Sequence, residues 1–213
     1  MMERRDFLAG AAALAASPAL AQTPTLPPVA AGATRIVLTT GLGPIVLDLR
    51  GDKAPITTAN FLKYVDRKLL NGAQFYRAMH TPVAPGQPPA DTGLIQGGLS
   101  NNHAERFLPP IAHESTTQTG LRHKDGTISL ARLAPGSATA EFFICIGDTP
   151  YLDADPNAPG DNLGFAAFGQ VVDGMDVVKK SLAAPTSPTK GEGVMKGQML
   201  DPPVPIITAA RAI

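Results

Sequence analysis

Twenty-one glycines and twenty-one prolines are spread through the 213 residues of this chain, which leaves few stretches long enough for an extended helix. Glycine loses more backbone freedom on folding than any other residue, and proline lacks an N–H, so both interrupt regular elements. What fits between them is a succession of short segments, many alternating apolar and polar, and that pattern describes strands joined by turns. With 44% hydrophobic and 17% charged residues, the chain has the material for one buried core and requires no second domain. Lys plus Arg equal Asp plus Glu at 18 each, and no basic run or aromatic-interleaved patch occurs, so nucleic acid is not an expected partner.

The first residues read as an address. Arg4-Arg5, then Asp6-Phe7-Leu8, the weakly apolar run from Ala9 to Ala16 and the small-x-small triplet Ala19-Leu20-Ala21 give a charged start, a hydrophobic middle and an expected cleavage site after Ala21. The apolar run is shorter than the roughly 20 residues a bilayer span needs, so no stable membrane anchor is expected after cleavage. Paired arginines ahead of Phe-Leu resemble a twin-arginine export signal, with an ordinary secretory signal as the alternative, and either places the mature chain in the periplasm or outside the cell. The expected organisation is an export signal over 1–21, a flexible Pro/Ala-rich tether over 22–33 and one domain over 34–213. The single Cys145 cannot form an internal disulfide and lies in an apolar run, where it reads as a small buried hydrophobe.

Within the domain, Arg35 to Thr39 and Pro44 to Leu49 read as a β-hairpin around Thr40-Gly41-Leu42-Gly43. Pro55 opens a helical pattern with Ala59, Leu62, Val65 and Leu69 on one stripe, stopped by Asn71-Gly72. Strands follow at Gln74 to Met79, Leu94 to Gln96, Thr127 to Leu130, Glu141 to Ile146 and Ala166 to Val171. Asp173 is the expected N-cap of a second helix through Leu182, Thr186 to Pro203 is expected to be a loop, and Pro205 to Ala210 a closing strand. Two helices in an otherwise β chain fit a closed barrel plugged at its ends, because closure removes exposed strand edges.

Four blocks carry a family resemblance: Gln74-Phe75-Tyr76-Arg77; Gln96-Gly97-Gly98; the stretch from Gly126-Thr127-Ile128-Ser129-Leu130-Ala131 through Pro135-Gly136 to Glu141-Phe142-Phe143-Ile144; and Phe168-Gly169 with Val171 to Val178. In this order, with a helix ahead of the first and Tyr151-Leu152-Asp153 after the third, the chain resembles the cyclophilins over nearly all of its mature length. The resemblance implies a mainly β fold, a closed antiparallel eight-stranded barrel capped by two α-helices. It implies peptidyl-prolyl cis-trans isomerase activity on proline-containing polypeptides, with no cofactor and no metal, in a chain expected to act as a monomer.

The chemistry asks little of the catalyst. Partial double bonding gives the imide a rotational barrier of roughly 18 to 20 kcal/mol, and no bond need break. A catalyst has only to prefer the twisted amide, and an arginine fork that stays charged can donate to the pyramidal nitrogen and a neighbouring carbonyl together. The resemblance assigns that role to Arg77, the hydrogen bond to the substrate carbonyl to Gln96, and a place beside them to Glu141. It assigns the proline pocket to Phe143 and Leu152 and the rest of the groove to Tyr76, Ala131, Arg132, Tyr151 and Phe165. Strand alternation puts Glu141 and Phe143 on the groove face and Phe142 with Ile144 in the barrel.

Several positions depart from the family pattern. Tyr76 stands where histidine is usual, Tyr151 where some members have tryptophan, Phe165 where many have histidine, Arg132 for the usual asparagine and Glu141 for glutamine. Gly93 falls where a phenylalanine usually lines the pocket, a loss of roughly 2 kcal/mol of apolar contact. An ionised Glu141 accepts but cannot donate, and the expectation is a bidentate pair with Arg77. The loop from Ala154 to Gly164, with Asp155, Asn157 and Asp161, lacks the glycine and glutamate placement of a calcium loop and reads as an ordinary turn-rich segment. There is no Gly-x-Ser-x-Gly, and His113-Glu114 does not continue as a zincin motif. His103, His113 and His123 read as surface or loop histidines. The rival function is a proline-peptide binding module or chaperone of the same fold with little turnover.

Overall fold

A computed structural model describes residues 26–212 of the chain. The expected export signal over 1–21, with its expected cleavage site, lies outside the described residues, as do residues 22–25 of the expected tether. Residues 26–32 run exposed to the start of the first strand, and Arg35 Nη1 donates to the Pro27 carbonyl at 2.8 Å.

The strands are β1 (Ala33–Thr40), β2 (Gly43–Arg50), β3 (Ala73–His80), β4 (Gly93–Gly98), β5 (Thr127–Leu130), β6 (Phe142–Ile146), β7 (Ala166–Asp173), β8 (Thr186–Ser187) and β9 (Met199–Arg211). The helices are α1 (Pro55–Asp66), α2 (Thr116–Thr119) and α3 (Met175–Leu182). Every pairing is antiparallel, in the order β1-β2-β7-β5-β6-β4-β3-β9, and β9 pairs back onto β1. Eight strands therefore close a barrel, and the two-residue β8 adds to the start of β9.

The hairpin forms as its residues require. Thr40 faces Gly43 across the two-residue turn, with its hydroxyl donating to the Gly43 carbonyl at 2.7 Å and accepting the Leu42 N–H at 3.1 Å. Arg35 and Asp48 sit opposite each other on β1 and β2 and form a bidentate pair at 2.6 and 2.7 Å.

Helix α1 starts at Pro55 as expected, but its buried face is Thr57, Phe61, Tyr64 and Val65 rather than the stripe through the exposed Ala59. It ends at Asp66, short of Asn71-Gly72, because Lys68 turns left-handed at φ 57 and reverses the chain. Its N-cap Ala54 has no oxygen to offer, and the buried Glu114 carboxylate accepts the Ile56 and Thr57 N–H groups at 3.1 and 2.7 Å instead.

Three further expectations need correction. Gly174, not Asp173, is the N-cap of α3, at φ 85; Asp173 belongs to β7 and its carboxylate accepts the Gly174 N–H at 2.9 Å. The stretch expected as a loop from Thr186 to Pro203 holds β8 and the first five residues of β9. The one-turn helix α2 was not expected, although Ser115-Thr116-Thr117-Gln118 is a capping-box pattern, and Gln118 Oε1 accepts the Ser115 N–H at 2.9 Å.

The main core fills the barrel and the undersides of α1 and α3. Phe61 packs edge-on to Phe142 with ring centroids 5.3 Å apart, Phe75 meets Phe142 at 5.6 Å, and Ile95, Ile144, Phe168 and Val178 complete the interior. A smaller apolar cluster of Leu94, Phe143, Cys145 and Leu152 lies apart from it, with Met79, Ala131 and Phe165 packed alongside. It covers the outer face of β3, β4 and β6.

Candidate active site

A groove of about 840 Å³ opens over that smaller cluster. Its floor comes from β6, where Phe142, Ile144 and Ile146 point into the barrel and Phe143 and Cys145 point out, as alternation requires. Phe143 is 3% exposed, edge-on to Phe165 at 5.4 Å and stacked on the His123 ring at 5.9 Å. Leu94, Leu152 and Met79 complete an apolar slot.

Arginine 77 reaches this slot through an irregularity. Gln74 pairs with Gly98 and Phe75 with Gly97, but Arg77 pairs with Gln96, so Tyr76 is a surplus residue. The bulge breaks the alternation, and Tyr76 and Arg77 both line the groove while Phe75 and Ala78 enter the core. The guanidinium is half-buried and aimed: Nη1 donates to Gln96 Oε1 at 2.8 Å and Nε donates to Gln198 Oε1 at 2.8 Å. Burial lowers its pKa, opposed by the Tyr76 phenol, yet a guanidinium remains protonated at any working pH.

The expected Glu141–Arg77 pair does not form. Glu141 accepts the Tyr76 hydroxyl on Oε2 at 2.6 Å and the Ser100 N–H on Oε1 at 2.9 Å, while Gln96 Nε2 donates to the Tyr76 oxygen at 2.8 Å. The carboxylate sits over Gly98, where a Cβ would come within 2.7 Å of Oε1, so the glycine leaves the room that Glu141 fills. Burial raises the Glu141 carboxyl above its ordinary value, against the Tyr76, Ser100 and Leu99 donors. Burial also pushes the Tyr76 phenol up, reinforced by the Glu141 charge.

Gly93 is not an emptied pocket position. It pairs with His80 and Ile146 at φ 148, and a Cβ there would stand 1.9 Å from the Met79 carbonyl, so no side chain fits. Leu94 and Met79 provide the apolar wall in its place.

Arg132 lines the groove but is committed elsewhere. Its guanidinium grips Asp161 at 2.7 and 2.8 Å, donates to the Gly164 carbonyl and stands 5.5 Å over the Phe165 ring. That pairing, with the Leu163 N–H, holds Asp161 down at about 2. Ala131 lines the same wall, with its N–H given to the Glu141 carbonyl. Tyr151 stands at the rim, 59% exposed, beside the buried Leu152.

Two features lay outside the sequence reading. Gln198, in the stretch expected as a loop, holds Arg77 from the far side, and Val194, Met195 and Met199 extend the groove there. His123 is not a surface histidine: it is 1% exposed, with Nδ1 2.7 Å from Asp153 Oδ1 and Nε2 3.0 Å from Ser129 Oγ, directly behind Phe143. Local spacing carried no signal for either contact. Asp153 and Asp161 of the acidic segment are thus taken by His123 and Arg132, and among the described residues no three metal-ligating side chains converge.

A closed eight-stranded barrel with an arginine fixed beside an external apolar slot defines a cyclophilin-like protein. The chain matches the family described as cyclophilin type peptidyl-prolyl cis-trans isomerase/CLD over residues 35–208, and it belongs to that family. It is 36% identical over 156 residues to a peptidyl-prolyl cis-trans isomerase of Acinetobacter baylyi, covering 72% of this chain and 74% of that one. It is 38% identical over 150 residues to peptidyl-prolyl cis-trans isomerase A of Dickeya dadantii, covering 69% and 70%. A cyclophilin type isomerase of Cryptosporidium parvum superposes with a TM-score of 0.63 at 16% identity, over 85% of this chain and 98% of that chain, and shares the fold.

Proposed function

We propose that this chain rotates Xaa-Pro imide bonds in exported polypeptide clients, acting as a monomer in the periplasm or outside the cell. The proline ring enters the slot over Phe143, between Leu94, Met79 and Leu152. Arg77 stands at its edge with a guanidinium already oriented, so little reorganisation opposes donation to the imide nitrogen as it becomes pyramidal. The single observation that carries this reading is the double clamp on Arg77, by Gln96 and Gln198, beside an apolar slot. The Cryptosporidium parvum protein was also crystallised in the presence of the dipeptide Ala-Pro, which is the ligand chemistry such a slot suits. Export rests on Arg4-Arg5, the apolar run and Ala19-Leu20-Ala21.

Exchange NMR on an Ala-Pro peptide, with no coupled protease, reads the activity directly. Arg77→Ala should slow catalysed exchange at least about tenfold, or about 1.4 kcal/mol of lost transition-state preference, with the fold retained by circular dichroism. An unchanged rate in that variant would move the reading to a proline-peptide binding module. Fractionation of cells expressing the full chain tests the location, with Arg4→Lys plus Arg5→Lys expected to hold it inside the cytoplasm.

A further inference from the structure

Four side chains form one continuous chain of hydrogen bonds across the groove wall: Arg77 Nη1 to Gln96 Oε1 at 2.8 Å, Gln96 Nε2 to the Tyr76 oxygen at 2.8 Å, and the Tyr76 hydroxyl to Glu141 Oε2 at 2.6 Å. With Glu141 ionised, the polarity of these bonds has a single solution. A guanidinium only donates, so Gln96 must turn its oxygen towards Arg77. The Gln96 amide nitrogen then points at Tyr76 and only donates, so the phenol oxygen accepts there and its proton points to Glu141. Both oxygens of the Glu141 carboxyl then accept, the arrangement of the ionised group. Glu141 fixes the opposite end in turn, because Ser100 N–H occupies its other oxygen at 2.9 Å.

We propose that Glu141 is a positioning residue for Arg77: acting through Tyr76 and Gln96, its carboxylate locks the Gln96 oxygen onto the guanidinium, and protonating Glu141 releases that lock and slows catalysis. Once Glu141 carries a proton it can donate to the Tyr76 oxygen. The phenol then turns its own proton towards Gln96, so that Tyr76 and Arg77 compete for the one Gln96 oxygen, and Tyr76 can win it only by flipping the amide. A flipped amide presents NH₂ to the guanidinium, and Arg77 loses its Nη1 acceptor. Burial of Glu141 places this change at or above the ordinary carboxylate range. Among the described residues, the titratable groups within reach of its charge are Tyr76 on β3 and Tyr64 on α1; Arg77, also on β3, acts on the Tyr76 phenol. Leu99 and Ser100 contribute backbone donors. No histidine or lysine takes part in the chain of bonds.

This inference rests on the isomerase reading for its effect on rate but not for its structural claim, and two readouts separate them. Catalysed exchange measured from about pH 8 down to about pH 4 should fall with one inflection, while the uncatalysed exchange of the peptide provides the baseline. Glu141→Gln should run about threefold to tenfold slower at neutral pH, the factor one hydrogen bond supplies, and lose the inflection. Tyr76→Phe cuts the relay without touching the carboxylate and should also flatten the profile. In parallel, the side-chain amide NMR signals of Gln96 should titrate in the parent protein with the same midpoint and stay fixed in Glu141→Gln. A parent profile without an inflection, an inflection that survives in Glu141→Gln, or Gln96 signals that ignore pH would each overturn the proposal. A protein with no turnover whose Gln96 signals still titrate only in the presence of Glu141 would sustain the relay and sink the isomerase reading alone.

Discussion

Gln198 accepts a hydrogen bond from Arg77 Nε at 2.8 Å across 121 residues of sequence, and its own amide donates to the Val194 carbonyl at 2.9 Å. The segment leading into β9 thereby holds one side of the fork while Gln96 holds the other. Gln198→Ala should lower kcat about tenfold or more, as loss of one charge-assisted hydrogen bond of about 1.5 kcal/mol or more allows, with KM for the peptide little changed. Gln198→Glu keeps an acceptor at the same reach and should retain most of the rate. Equal losses in the two variants would refute an orienting role.

Glu114 makes a second long-range connection, capping the first turn of α1 from 57 and 58 residues away. It replaces the side-chain oxygen that Ala54 lacks, and a carboxylate at a helix N-terminus also meets the positive end of the helix dipole. Glu114→Ala should cost about 1 to 2 kcal/mol of stability, read as a lowered midpoint in urea unfolding. Glu114→Gln should recover part of it. No change in midpoint would mean that water satisfies those N–H groups equally well.

His123 provides a pH signature of stability. Burial lowers its pKa, and Asp153 opposes that shift without cancelling it. The folded value lies below the unfolded value of about 6.5, so the unfolded chain takes up the proton first as pH falls. The contribution is whole above about pH 6.5 and declines through the window beneath it, towards the folded value. Unfolding free energy should therefore fall more steeply from about pH 7.5 to about pH 5 in the parent than in His123→Gln. Parallel slopes would show that His123 titrates alike in both states.

Cys145 faces the groove side of β6 but lies beneath Phe143 and Leu152, and burial pushes its thiol up to about 12 despite a hydrogen bond from Thr149. Only the thiolate attacks a disulfide or an alkylating reagent. The native protein should react with a thiol reagent at least about a hundredfold more slowly than the urea-unfolded chain, since its thiolate fraction is that much smaller. Comparable rates would mean that the thiol is reached by local opening.

The strands were legible because alternation and turn residues are local signals. Thr127 to Leu130 was read to the residue, and the hairpin around Gly41 lies where its sequence placed it. Phe143 and Phe142 were sorted to opposite faces by period alone. What escaped depends on partners distant in sequence. The cap of α1 is Glu114, the clamp on Arg77 includes Gln198, and the partner of Glu141 is Tyr76 rather than Arg77, which the bulge turns out beside it. Gly93 misled for a related reason: comparison of side chains suggested an empty space, whereas the backbone of β3 already occupies it. His123 read as a surface or loop histidine because it lies in a loop-rich stretch, yet Asp153 and Ser129 satisfy both ring nitrogens and make burial tolerable.

The surplus residue in β3 also sets how this scaffold can drift. Removing Tyr76 would restore unbroken pairing between β3 and β4, and a more regular ladder would keep the barrel closed. It would do so by sending alternate side chains to new sides, so that either Phe75 leaves the interior or the guanidinium is driven into it. Point substitutions around the groove can grade its chemistry, but shortening this strand by a single codon would remove the groove-facing arginine or empty a core position, and so cannot be taken in small steps.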